Sequence, residues 1–200
     1  MIREIADPVE RERVFERARV FVGSDEQYLA PEWLARSDVY CVAQENAYNG
    51  YHDDPESLVR AFGVLPGTRW CAVRAAGREK LSEPVEATDL VYRLTAAAGT
   101  DNFESYYYPS GFMLFSLDSD AVILYSPDYG YRLIAGSAQF VQAYIDGAKL
   151  DPIQELREWF QEKIDDRRQE GNEQAAIAIE RTMNTGLAQV RLPPPANELT

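Results

Sequence analysis

The pattern of apolar and turn-forming residues between positions 105 and 145 predicts the centre of the fold. Three short runs rich in aromatic and aliphatic residues lie there, at 112–117, 121–125 and 129–135. The segments between them contain Asp, Ser, Pro and Gly, which favour tight turns. Short apolar runs separated by such turns are typical of antiparallel strands that follow one another along the chain. We therefore predict a three-stranded antiparallel meander.

The apolar period changes directly after the third run, and the change predicts a helix. Phe140, Val141, Tyr144 and Ile145 follow a helical spacing that places them on one face. Ser137 precedes this stretch, and its hydroxyl is suited to cap the helix N-terminus.

Helical spacing predicts further helices on both sides of the meander. Three of them begin at Asp-Pro pairs, because Asp caps a helix N-terminus and Pro fits the first turn. These pairs are Asp7-Pro8, Asp54-Pro55 and Asp151-Pro152. The predicted helices cover 8–20, 55–62, 87–98, 152 to a break at Gly171-Asn172, and from there to 185, with a short helical turn at 31–35.

Two further segments have strand-like patterns. Residues 69–75 alternate imperfectly between polar and apolar side chains, which indicates a strand. Residues 39–43 are apolar throughout, so they form either a short strand or a buried helical turn.

These elements predict an α+β fold, in which an antiparallel meander sheet packs against helices. We expect one α+β domain at 1–149, a C-terminal helical pair at 150–186 packed on it, and an extended Pro-containing tail at 187–200. The first helix of the pair carries an apolar stripe of Ile153, Leu156, Trp159, Phe160 and Ile164. Such a stripe either covers the domain or forms a homodimer through Trp159 and Phe160.

Composition narrows the classes of partner. The chain has 200 residues, of which 46% are hydrophobic, and a formal net charge of -13. Free nucleic acid and anionic membrane surfaces are poor partners for this charge, since both attract clusters of Lys and Arg. A basic protein is the natural partner, and the alternative is that the acidity only keeps the protein in solution.

Targeting signals and cysteine usage both favour a cytoplasmic location. The N-terminal stretch has no apolar signal-peptide core, and no run approaches the 18 apolar residues of a membrane span. Cys41 and Cys71 lie far apart among apolar residues, which favours buried free thiols in a reducing compartment over a disulfide.

Candidate catalytic chemistry is sparse, and we expect neither an enzyme nor a cofactor. His52 is the one histidine, beside Asp53 and Asp54, and a metal site built on imidazole usually needs a second His or Cys. The alternative function is a small hydrolase or transferase that uses Asp or Glu chemistry near His52. Asp118-Ser119-Asp120 matches the Asp-x-Asp of sugar transferases, but its place between two strands favours a hairpin turn.

The distribution of charge suggests a binding surface. No Lys or Arg lies between Arg36 and Arg60, or between Arg93 and Arg132, and both windows are rich in Asp, Glu and Tyr. We predict that the two windows form one acidic, aromatic face for a basic partner. The predicted contact residues are Asp53, Asp54, Tyr107, Asp118, Asp120, Asp128, Tyr129 and Tyr131. The alternative is that the tyrosines pack the sheet and the acids lie in turns.

The meander resembles a known class of proteins. Its segments 111–115, 122–128 and 131–136 read GFMLF, VILYSPD and YRLIAG. In a small acidic α+β protein they resemble the immunity proteins of bacterial polymorphic toxin systems, loosely those of the SUKH kind. The resemblance implies tight one-to-one binding and neutralisation of a toxin domain without a cofactor. A structural module that oligomerises through Trp159 and Phe160 is a further alternative.

Overall fold

A computed structural model describes residues 3–25, 28–45, 55–88, 111–126, 130–148 and 151–194. Within these ranges the chain forms seven strands and six α-helices, with a 3-10 turn at Arg78–Lys80. The strands are β1 Arg3–Glu4, β2 Tyr40–Glu45, β3 Trp70–Ala75, β4 Leu81–Glu86, β5 Phe112–Ser116, β6 Ala121–Ser126 and β7 Tyr131–Gly136. The helices are α1 Pro8–Phe21, α2 Pro31–Leu34, α3 Pro55–Gly63, α4 Ala138–Gly147, α5 Pro152–Gln169 and α6 Glu173–Leu187.

All seven strands belong to one antiparallel sheet, in the order β1-β4-β3-β5-β6-β7-β2. The predicted meander is confirmed as β5, β6 and β7, and it forms the centre of the sheet. The α+β fold class and the two C-terminal helices are confirmed as well.

The sheet is buried on both faces, because β5, β6 and β7 are apolar at nearly every position. Helices α1, α2, α5 and α6 cover one face, which we call the first face. Helices α3 and α4 cover the second face, where Phe62 and Phe140 pack around Trp70. The molecule therefore has three layers, with the sheet in the middle.

The helix N-termini follow the predicted capping chemistry. The Asp7 carboxylate accepts a hydrogen bond from the Glu10 amide at 2.9 Å, and the Ser137 hydroxyl accepts one from the Phe140 amide at 3.3 Å. The Asp151 carboxylate accepts from the first turn of α5 in the same way. The predicted cap Asp54 lies outside the described residues, as does the part of the predicted 87–98 helix beyond Thr88.

Three strands show where the sequence pattern is weak. Residues 40–45 form a strand rather than a helical turn, because they pair with β7 along their whole length. β4 lies next to the edge of the sheet, where β1 pairs only with Val85 and Glu86. It contains Glu83 and Pro84, and its register against β3 shifts at a bulge. Glu83 has a φ of 51°, a conformation that is uncommon for residues other than Gly. β1 has only two residues, so it has no detectable period.

The C-terminal helical pair packs against the first face and β2 through the predicted stripe. Leu156, Phe160 and Ile164 are buried, and Trp159 meets Phe160 edge to face at 4.9 Å between ring centroids. Phe160 is only 2% exposed. Phe160 is therefore covered by its own domain, which is one of the two roles predicted for the stripe, and the homodimer through Trp159 and Phe160 stays a prediction.

A backbone contact closes the edge of the sheet at β2. Cys41 and Arg191 exchange two hydrogen bonds, each 2.8 Å long, between their amide N–H and carbonyl groups. Arg191 follows α6 within the predicted tail segment, so part of that segment joins the sheet. Residues 195–200 lie outside the described residues.

Candidate functional site

Three of the eight predicted contact residues lie in the described part of the chain. Asp118 and Asp120 lie in the turn between β5 and β6, and Tyr131 begins β7. The other five lie outside the described residues: Asp53, Asp54, Tyr107, Asp128 and Tyr129. His52, the residue of the alternative enzymatic hypothesis, lies outside them too.

Asp118 is held by the turn in which it lies. Its amide and that of Ser119 donate to the Ser116 hydroxyl, at 3.1 and 2.7 Å. The Asp118 carboxylate accepts a hydrogen bond from the Arg69 amide at 3.0 Å, which ties the turn to the start of β3. We call this end of the sheet, formed by residues 116–120 and the arginines around them, the hairpin end.

Asp120 binds two arginines from distant parts of the chain. Its carboxylate lies 3.0 Å from Arg17 of α1 and 2.8 Å from Arg36, which follows α2. Arg17 also donates to the carbonyls of Ser116 and Ser119, at 3.2 and 2.6 Å. The sequence around Asp120 contains no Lys or Arg, but Arg17 of α1 and Arg36 supply the positive charges that pair with it.

Arg36 joins the two windows that lack basic residues. It donates to both carboxylate oxygens of Asp38, at 3.1 and 2.7 Å, and to Asp120 at 2.8 Å. Its hydrogen bond lowers the pKa of Asp38, and the two carboxylates raise the pKa of Arg36. Asp38 belongs to the first window and Asp120 to the second, so one carboxylate from each window lies at the hairpin end.

Tyr131 lies far from this surface. β7 pairs with β6 so that Gly136 faces Ala121 at the hairpin end, whereas Tyr131 faces Ser126 at the opposite end. Its side chain is fully buried on the first face, beneath α5 and α6, with its ring 6.5 Å from that of Phe160. The prediction that Tyr131 contacts a partner is corrected, because its position in β7 points into the core.

The sequence reading missed a buried polar cluster at the opposite end of the sheet. Gln44 accepts hydrogen bonds at its amide oxygen from Arg132, at 3.0 Å, and from the Tyr144 hydroxyl. The Gln44 amide nitrogen donates to Glu155 at 3.4 Å. Arg132 is 1% exposed and lies over the Tyr125 ring at 5.9 Å. The sequence feature that could have indicated this cluster is Arg132, the one charged residue in the apolar run of β7.

The cluster links two strands to two helices. Gln44 is in β2 and Arg132 in β7, while Tyr144 comes from α4 and Glu155 from the first turn of α5. Buried polar groups of this kind need satisfied hydrogen bonds, and in return they fix how the elements pack. We interpret the cluster as structural.

The two cysteines are free and buried. β2 and β3 are separated in the sheet by β7, β6 and β5, which places Cys41 and Cys71 about 19 Å apart at the usual strand spacing. A disulfide needs Cα atoms within about 7 Å. Burial raises the pKa of Cys71 to about 12 and also raises that of Cys41, so neither thiol is activated as a nucleophile.

The described residues were also compared with the requirements of a pocket, a metal site and a membrane span. An open depression beside the hairpin end is lined by Asp38, Tyr40 and the first turn of α4. Among the described residues, no group of three or more His, Cys, Asp or Glu side chains is placed to hold a metal ion. In the same part of the chain, every helix is too short or too polar to cross a lipid bilayer.

Comparison of the chain with protein-family models, with curated proteins and with solved structures finds no match. The resemblance to immunity proteins stays a prediction.

Proposed function

We propose that this protein is an acidic binding module for a basic protein, and that it acts as an immunity protein that binds and neutralises a toxin domain. The observation that carries the proposal is the meeting of Asp38 and Asp120 at Arg36. Carboxylates from the two windows, 82 positions apart in sequence, thereby share one surface.

The geometry of these carboxylates suits arginine. Asp38 holds the Arg36 guanidinium through two parallel hydrogen bonds, and Asp120 binds two guanidinium groups at once. Two-point pairing of this kind selects Arg over other cations. A partner that presents arginines therefore competes for groups that already bind them.

Long-range attraction adds to the local chemistry. The net charge of -13 draws a basic partner from a distance and disfavours acidic ones. Tyr40 contributes an aromatic surface beside Asp38, where the Arg191 guanidinium lies 5.2 Å from the ring centroid. The predicted contacts Asp53, Asp54, Tyr107, Asp128 and Tyr129 remain part of the proposal.

The alternative functions have less support. An oligomerisation module built on Trp159 and Phe160 needs an exposed Phe160, which is buried. A hydrolase or transferase near His52 stays a prediction, and the buried thiols add no nucleophile to it.

The test begins with capture of proteins from the source cell on the immobilised chain. We expect a basic protein that is toxic when produced alone and harmless when produced together with this chain. Its association rate should fall when the ionic strength rises from about 0.1 to about 1 M, since the Debye length shrinks from about 10 to about 3 Å.

Matched variants then locate the surface. Asp38→Lys should slow association at low salt far more than Asp165→Lys, which makes the same charge change on α5. Equal effects of the two variants would show that only net charge matters. A captured partner that is not basic, or a toxicity that co-production leaves unchanged, would contradict the proposal.

A further inference from the structure

The segment that follows α6 is attached to the hairpin end of β2 by a small set of contacts. We call residues 191–194 the C-terminal strap. Its backbone pairs with the sheet only at Arg191 and Cys41, through the two hydrogen bonds of 2.8 Å. Pairing cannot continue to the next equivalent position, because Pro193 has no amide proton.

The Arg191 side chain makes further polar contacts, and Pro193 of the strap is buried. Its guanidinium donates to the carbonyl oxygens of Arg36 and Ser37, at 2.6 and 3.2 Å, and lies over the Tyr40 ring. The Arg191 charge also contributes to the low pKa of Asp38, after the larger effect of Arg36. One arginine in an extended backbone thus binds an edge strand, an aromatic ring and an acidic turn.

The residues before the strap are held more firmly. The Gln189 side chain accepts a hydrogen bond from the Leu29 amide at 2.9 Å, and Val190 packs against the core of the first face. Within the strap, Leu192 is 51% exposed, whereas Pro193 is buried. Release of the strap from β2 would expose Pro193 and leave the contacts of Gln189 and Val190 in place.

We infer that the strap occupies, within the same chain, the binding site for an extended arginine-bearing segment of the basic partner. The partner segment pairs with Cys41 as an added strand, and its arginine binds the carbonyls of residues 36 and 37 and stacks on Tyr40. Strand addition at a sheet edge is a common mode of peptide recognition. The strap then acts as an autoinhibitory contact. This inference rests on the proposed function, since it identifies the site for the same basic partner.

The test uses the full chain and a labelled synthetic peptide, QVRLPPP, that copies residues 189–195. Arg191→Pro removes both the amide donor and the guanidinium of the strap. We expect this variant to bind the peptide about tenfold or more tightly than the natural chain, in which the tethered strap competes at high effective concentration. A peptide with Ala in place of Arg should lose most of this binding.

Leu192→Pro is the matched control, because it adds a proline to the strap and keeps every contact of Arg191. It should bind the peptide as weakly as the natural chain. Weak and equal binding to the natural chain and to Arg191→Pro, with both folded, would overturn the inference.

Hydrogen exchange on the natural chain gives a second measurement that does not depend on the variant folding. The Arg191 amide should exchange by local opening, well before the amides of β6 and β7. Exchange of Arg191 only with global unfolding would show that the strap does not open, and would also overturn the inference. Peptide binding without any basic partner in the capture experiment would instead contradict the proposed function alone.

Discussion

The indole ring of Trp159 lies against Gly130, so closely that a Cβ atom built on Gly130 would fall 2.5 Å from the ring atom Cη2. Gly130 precedes β7 and has a φ of 71°, a conformation that favours glycine. The contact packs α5 against the start of β7. It depends on the absence of a side chain at position 130.

Replacement of Gly130 by Ala should lower the free energy of unfolding by about 2–4 kcal/mol, because backbone strain adds to overpacking against Trp159. Gly67→Ala is the control, since Gly67 has a similar φ of 75° and no neighbour within 4 Å of the added atom. It should cost about 1 kcal/mol. Denaturant unfolding measures both, and equal losses would exclude the clash with Trp159.

Arg17→Ala should destabilise the protein by about 2 kcal/mol, because it removes two hydrogen bonds to the turn carbonyls and the ion pair with Asp120. It also removes the guanidinium that lies 4.4 Å from the Phe21 ring centroid. Arg13→Ala on the same helix loses one exposed ion pair and should change stability by less than about 0.5 kcal/mol. A loss for Arg17→Ala no larger than this would refute the role assigned to it at the hairpin end.

Phe160→Ala should lower the free energy of unfolding by about 3–5 kcal/mol, since it leaves a cavity between α5 and Tyr131. Ile177→Ala, on the exposed side of α6, is the control and should cost less than about 1 kcal/mol. Sedimentation of the natural chain and of the variant measures their oligomeric states and so tests the alternative role of Phe160 in a homodimer. A Phe160→Ala chain that unfolds like the natural one but sediments as a smaller species would support the homodimer prediction.

Stability should fall as the pH rises above about 9. The pKa of Cys71 is raised by burial from its usual 9.0 to about 12, so the unfolded chain loses the thiol proton at lower pH than the native chain. The native state then binds more protons than the unfolded state, and stability decreases until the pH passes the folded pKa. Cys71→Ala should flatten this decrease in urea unfolding between about pH 9 and about pH 11. An unchanged dependence of the free energy of unfolding on pH would contradict the raised pKa of Cys71.

Local chemistry made much of the fold predictable. The β5–β7 meander and the caps Asp7, Ser137 and Asp151 depend on neighbouring residues only, and the sequence patterns located them. β4 was missed because Pro84 and the bulge at Glu83 interrupt its pattern, which the sheet tolerates since β1 pairs only with Val85 and Glu86. β2 could not be told from a helical turn for a different reason, since a short apolar run fits both until its pairing with β7 is known.

The candidate site was less predictable, because charge pairing depends on distance in space rather than in sequence. One carboxylate from each window without Lys or Arg lies at the hairpin end, Asp38 and Asp120, but Arg17 and Arg36 reach them from α1 and from the residues after α2. Tyr131 lies in the core because helices cover both faces of β7, and a single apolar run does not reveal that the residue at its end is covered too.

The place of β2 in the sheet has a consequence for biosynthesis. Its neighbour is β7, and the hydrogen-bonded residues Gln44 and Arg132 are 88 positions apart. At a synthesis rate of about 5–20 residues per second, β2 leaves the ribosome roughly 4–18 s before β7. During that interval the apolar strand β2 lacks β7, the strand with which it pairs, and this long-range pairing forms slowly. Production at lower temperature or with added chaperones should therefore raise the yield of folded protein.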